Sequence, residues 1–354
     1  MEGKPGNLKS PNGLSQTRTE ESQCRGAIYG LFIGDALAMP VHWYYDTQAL
    51  KRDYGRVTDY LAPKNPHPDS ILWRSSYHPL NEKGNILHDQ AQYWGKRGIH
   101  YHQFLEAGEN TLNLKLCTLL MDSLNASRGY SPEDYLKRYI DFMTTPGSHR
   151  DTYVEEYHRH FFTNYAAGKP PHQCGVTEKH IGGLVGLVPI IVFYRHFASR
   201  AREAAMEHLS LTHLGQKMAT AAELLISLLL EILSGKPLHE VLIQEIQNQR
   251  NPLYGFPYRE WLAKSDERVV GRRLSTACYV EDSVPSVVYL ALKYHDRPEQ
   301  GLIANTNLGG DNVHRGAVLG SLLGAENGLE GFPVRWVKGL RHSPPDLDLS
   351  APEE

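Results

Sequence analysis

Cysteine is scarce in this chain. Its 354 residues hold four, at positions 24, 117, 174 and 278, with no CxxC pair and none beside a histidine at zinc-finger spacing. A disulfide framework and a structural zinc site are therefore not expected. Long apolar runs are missing too: the longest, Gly182 to Tyr194, is about 13 residues with a proline inside it, against the ~20 of a spanning helix. Nor is there a run of lysine or arginine. The 37 basic and 40 acidic residues give a net charge of −3 with histidine neutral, which argues against nucleic acid or an anionic membrane as partner. The N-terminal stretch lacks the apolar region of a secretory signal, so the expected setting is reducing and cytoplasmic. Alternating apolar and polar runs of the strand type are almost absent.

What is present is an ordinary globular composition, 41% hydrophobic and 22% charged, in a length that suits two domains or one large helical one. Eighteen histidines are the one excess, and they suit acid/base chemistry, metal binding or surface solubility without choosing among them. Residues 1–24 read as a flexible leader. Residues 343–354, proline-rich and acidic, read as a flexible tail, which leaves one domain over 25–342. Within it Ser131-Pro132-Glu133-Asp134 is a helix start, with a serine cap, proline at the first position and acids in the first turn. From Thr212 onward Leu214, Met218, Ala221, Ala222, Leu225, Leu228, Leu229 and Ile232 recur at spacings of three and four, closed by Gly235-Lys236-Pro237. Similar periodicity marks 104–124, 177–196, 276–294 and 313–325, so an all-α, multi-helix domain is expected. Tyr54 to Asn85, with Pro63, Pro66, Pro68 and Pro79, is an irregular insertion that reads equally as a lid or as a cover over the core.

Three constellations can carry chemistry. Gly30 and Gly34 precede Asp35, small residues that let helices approach and a buried charge that needs a partner; a structural role for Asp35 is as open as a functional one. Asn305 to Gly320 holds a Gly309-Gly310-Asp311 turn running into a helix. Its free N–H groups suit a phosphate, with Arg315 to pair an anion, or it is a plain solvated turn. Gly108-Glu109-Asn110-Thr111 opens a third helix, either as oxygen ligands for a hard cation or as ordinary helix-start residues. His149-Arg150-Asp151 reads as a surface loop. His100 and His102, two apart, would face different ways on a helix. Cys278 is either activated at a helix start or buried and inert.

In this order and spacing, and together with Thr212-His213 before the long helix, these runs resemble the ADP-ribosylglycohydrolase family from about Gly26 to Trp336. The segments AMPVHWYY and ILWRSSY are most similar to its branch of J-type crystallins and selenoprotein J. The resemblance implies an all-α fold and hydrolysis of a glycosidic bond of an ADP-ribosyl or related substrate, small or protein-linked, usually with two magnesium ions. It implies Asp35, His42, Glu109 and Asp311 at the reacting centre, and His213, Gly309, Gly310, His314 and Arg315 around the substrate. Glu109, Asn110 and Asp311 would hold a metal. The chain departs from the family at those ligands, since Asn110 is uncharged and Val313 binds nothing, so one magnesium or none is expected. His42 stands where a glutamate is usual and would activate water. Ile181 and Gly186 replace an asparagine and an arginine. The alternative is a catalytically inactive, crystallin-like structural or ligand-binding protein on the same fold. Oligomeric state is left open.

Overall fold

Glycines at four-residue spacing on two helices determine how the centre of the molecule is built. In the computed structural model, which describes residues 19–248 and 251–350, α1 (Glu20–Ala38) runs antiparallel to α14 (Asn312–Asn327). Gly26, Gly30 and Gly34 meet Gly324, Gly320 and Gly316, so closely that a Cβ on any of them would overlap backbone of the other helix. Both helices are buried on almost every side, which is why neither has a polar face.

The remaining helices wrap this pair. They are α2 (Thr47–Tyr54), α3 (Leu112–Ser127), α4 (Pro132–Thr144), α5 (Glu156–Ala166), α6 (Leu187–Phe193), α7 (Ala198–Ser210), α8 (Gln216–Leu233) and α9 (Leu238–Asn248), then α10 (Tyr258–Trp261), α11 (Asp266–Val269), α12 (Val280–Tyr294), α13 (Pro298–Asn307) and α15 (Val334–Gly339). The one sheet among the described residues pairs Val176–Thr177 with His213–Leu214 in parallel. The all-α expectation therefore holds. No helix among the described residues is long and apolar enough to cross a membrane.

Local chemistry sets the boundaries. The Ser131 hydroxyl accepts from Asp134 N–H and starts α4, with Pro132 in its first turn, as the sequence predicts. The helix expected over 104–124 begins only at Leu112. Before it, Gly108 takes φ +78°, with Gly339 carbonyl packed where a side chain would stand. Of the stretch 177–196 only α6 is α-helical, preceded by a 3-10 turn at Ile181–Leu184, because Gly182, Gly183 and Gly186 are packed under Tyr157, His213 and His208. Residues 1–18 lie outside the described residues, yet α1 begins at Glu20 under a Thr19 cap, ahead of the Arg25 boundary. Leu347 and Leu349 pack on the core, where a tail with nothing to pack was expected. The irregular run through residues 55–111 covers the turn after α1: His67 Nε2 bonds His42 carbonyl at 2.9 Å and His100 Nε2 bonds Pro40 carbonyl at 3.0 Å.

Candidate active site

The N-terminal ends of α3, α12 and α14 converge beside the C-terminal end of α1, and the polar side chains they bring together are almost wholly buried. The Gly309-Gly310 turn places Asp311. Both glycines have φ near +65°, Gly310 N–H donates to Tyr44 carbonyl at 2.7 Å, and Asp311 N–H donates to Thr276 carbonyl at 2.8 Å. The turn's N–H groups are thus spent inside the protein, not offered to a phosphate. Arg315 is likewise internal: fully buried, it donates to Asn305 Oδ1 at 2.7 Å and to Gly309 carbonyl at 2.9 Å. It fixes the turn, because its fork fits the carbonyls the turn leaves free.

Asp311 Oδ1 lies 3.0 Å from His42 Nε2 and 2.7 Å from His314 Nδ1, while Oδ2 has no hydrogen-bond partner. Burial would raise this carboxyl, yet His314, His42 and His180 hold it well below the usual carboxylate range. His314 loses by burial and gains more from Asp311 and from Glu155, so it is raised to about 9. His42 goes the other way, pushed down to about 3 by burial in spite of Asp311. A chain of hydrogen bonds continues outward: His42 Nδ1 to His102 Nε2 at 2.8 Å, and His102 Nδ1 to Asp151 Oδ1 at 2.8 Å. Asp151 ends beside Lys115 at 3.3 Å. Burial opposes its charge, but Lys115 and His102 drive its carboxyl far below the usual range. The chain thus ties two imidazole rings between a buried carboxylate at each end.

His42 accordingly cannot activate water as expected, since both its ring nitrogens are used. Asp35 is saturated as well, accepting from Thr111 Oγ1 at 2.6 Å, Thr111 N–H at 2.9 Å and Asn110 Nδ2 at 2.8 Å; burial raises its pKa. It caps the N-terminus of α3 from the neighbouring α1, a stabilising place for an anion. The expected ligands Glu109, Asn110 and Asp311 are not brought together. Glu109 pairs with Arg150 at 2.7 Å and Lys115 at 3.2 Å, and Asn110 turns its amide N–H groups to Asp35 and Phe32 carbonyl. A magnesium pair needs a cage of oxygens, whereas the groups around the free Asp311 oxygen are nitrogen and sulfur, from His180 and Cys278. Magnesium does not fit these residues.

His213 sits behind the centre, its Nδ1 on Thr212 Oγ1 at 2.8 Å and its Nε2 unpartnered, its ring tilted against Tyr157 with centroids 4.3 Å apart. Sequence reasoning missed His102, Asp151, His180 and Asn113. His102 and Asp151 were set aside on a helix spacing and a surface loop, and neither applies: His102 lies in a turn and Asp151 is fully buried. Asn113 lies 2.5 Å from His314 Nε2. His180 was hidden in a stretch read as apolar helix. Above the centre, Tyr45 and Tyr279 are exposed, and Lys179 stands 4.5 Å over the Tyr279 ring.

With this geometry in place, the chain can be compared with known proteins. The ADP-ribosylglycohydrolase family profile matches residues 16–351. A protein of Archaeoglobus fulgidus is 24% identical over 330 residues, 91% of this chain and 92% of that protein. An ADP-ribosylarginine hydrolase of Pseudomonas putida is 25% identical over 162 residues, 46% of this chain and 42% of the hydrolase. A solved structure described as an ADP-ribosylglycohydrolase-related protein complex has a TM-score of 0.61 at 22% identity, covering 91% of this chain and 93% of that one, a likeness of fold.

Proposed function

The chain belongs to the ADP-ribosylglycohydrolase family, and from that premise we propose that it hydrolyses a glycosidic bond of an ADP-ribosyl compound at Asp311, without the family's magnesium pair. The observation that carries this reading is the unpartnered Oδ2 of a fully buried Asp311. Glycosidic cleavage develops positive charge on the sugar ring. A carboxylate held below its usual pKa stays ionised, a poor proton acceptor but a fixed negative charge facing that ring. His42 and His314 orient the carboxylate through its other oxygen. His180 Nδ1 accepts from Gly182 N–H at 3.0 Å, so its proton is on Nε2, 3.5 Å from Asp311 Oδ2, where it can donate to a ribose hydroxyl. Tyr45, Tyr279 and Lys179 offer aromatic faces and a cation to the nucleotide end of the substrate.

The Pseudomonas relative makes ADP-ribosylarginine the first substrate to try. Release of ADP-ribose is expected from the native chain with chelator present, and Asp311→Asn is expected to lower it about 100- to 1,000-fold with little change in binding. Turnover that needs magnesium, or that survives Asp311→Asn, refutes the reading.

A second reading, an inactive descendant of the J-type crystallin branch, is favoured by one observation: Asp35, His42, Asp311 and His314 are all fully buried. Calorimetric titration with ADP-ribose, read beside the turnover assay, separates the two: binding with turnover supports the hydrolase, and no binding, or binding without turnover, supports the descendant.

A further inference from the structure

We propose that His180, Cys278 and Asp311 form a binding site for a single zinc-type divalent ion. Their ligand atoms all lie within 4.8 Å of one another. His180 Nε2 and Asp311 Oδ2 are buried and neither has a hydrogen-bond partner; His180 is only 7% exposed and Asp311 not at all. Buried polar atoms without partners are rare and call for an occupant. The 3.5 Å between them is beyond good hydrogen-bond range. It matches the edge of a tetrahedron built on metal bonds of about 2.0–2.3 Å.

The three ligands are held in register by backbone, not by side-chain packing alone. His180 bridges Tyr279 in an antiparallel pair, with Ile181 N–H donating to Cys278 carbonyl at 2.8 Å and Val280 N–H to Lys179 carbonyl at 2.9 Å. Asp311 N–H, donating to Thr276 carbonyl at 2.8 Å, ties the third ligand to the same segment. Such support is what a metal site requires before the ion arrives. Imidazole and thiolate select zinc or cobalt over magnesium. Cys278 is part-exposed and its neighbour Tyr279 is exposed, which gives an ion a way in from solvent on that side. The other close cluster, His42, Asp311 and His314, is closed by its own hydrogen bonds and has no such opening.

Loading is balanced as follows. The Cys278 thiol gives its proton to solvent as the sulfur–metal bond forms. The His180 ring moves its proton from Nε2 to Nδ1, giving up the hydrogen bond from Gly182 N–H for the metal–nitrogen bond. This site does not depend on the hydrolytic reading, though the ion and a sugar would compete for the same Asp311 oxygen and for His180 Nε2, so that the two occupy it only by turns.

The test is optical and uses the full chain with no substrate. Titration with cobalt(II) alone should saturate at one ion per chain, with a thiolate-to-cobalt band in the near ultraviolet and the visible bands of tetrahedral cobalt. Equimolar zinc should remove both, and a hundredfold excess of magnesium should leave them. Cys278→Ser should lose the near-ultraviolet band, and His180→Gln should weaken cobalt binding at least tenfold, each with unchanged far-ultraviolet circular dichroism. Absence of the thiolate band in the native chain, or its persistence in Cys278→Ser, overturns the proposal, whatever the outcome of the hydrolysis assay.

Discussion

His42 shows how a single residue can be recognised and still be given the wrong task. Its place after α1 was legible from the spacing to Asp35, but its work is set by partners 60 and 269 residues away, which no local pattern reveals. Asp311 and His314 were legible because a Gly-Gly-Asp turn before a helix is a local signal. Asp151 and His102 were not, because only the fold brings them to one another. The same chain of contacts yields a prediction. Asp151 is buried and faces both His102 and Lys115, so Asp151→Asn strands two donors beside an uncharged amide. Loss of one partner of a buried ion pair costs about 3–5 kcal/mol. Because Lys115 remains 20% exposed and keeps Glu109, the expected loss is at the lower end, near 3 kcal/mol, read from the midpoint of urea unfolding. A change under about 1 kcal/mol would show that the chain from Asp151 to Asp311 contributes little to the fold.

At the scale of the element, caps were read well and lengths were not. Ser131 and Gly235 after α8 mark real ends. The apolar runs before α3 and α6, however, extend the pattern into segments where glycine and tertiary packing impose turns, and hydrophobicity alone does not distinguish a buried turn from a buried helix. The seam between α1 and α14 was half legible: Gly30 and Gly34 announced a close approach, and Gly316, Gly320 and Gly324 were visible but not paired with them. Its consequence is testable. A methyl group on Gly320 would overlap the Gly30 carbonyl and have only backbone to push against, so Gly320→Ala should destabilise by about 3 kcal/mol or more, although alanine is the better helix former by about 1 kcal/mol. If Gly320→Ala melts at the native temperature, the two helices are not in contact there. Gly235→Ala serves as the contrast: its positive φ of 95° carries strain but nothing lies within 4 Å of its side-chain position.

At the scale of the whole molecule, fold class and family were legible in the sequence because they rest on many residues at once, and the chemistry of the centre was not, because it rests on few. The buried histidines give the molecule a characteristic response to pH. His42 and His208 are held down to about 3, and His67 and His180 to about 4, in each case first by burial. Unfolded, each would take a proton near pH 6.5. Below that value the unfolded chain binds more protons than the folded one, so stability falls as the solution is acidified toward pH 4, by up to about 1.4 kcal/mol per pH unit for each ring. His314 has the opposite sign. Raised to about 9, it contributes fully below pH 6.5 and its contribution is lost as pH rises through 9. Stability should therefore peak near pH 6.5, falling below it as the four depressed rings take up protons in the unfolded chain and falling above it, up to about pH 9, as the His314 contribution is lost; urea midpoints measured from pH 5 to 10 should trace that rise and fall, and a midpoint that is flat from pH 7 down to 5 would mean the four rings are charged in the folded protein.

The glycine seam also sets a schedule for synthesis. About 270 residues separate the end of α1 from the start of α14, and at roughly 5–20 residues per second α1 emerges on the order of 15–55 seconds before its partner exists. Throughout that interval a helix that will be buried from Gly26 onward along almost its whole length has no mate, which makes the nascent chain a natural client for whatever chaperone meets it at the ribosome.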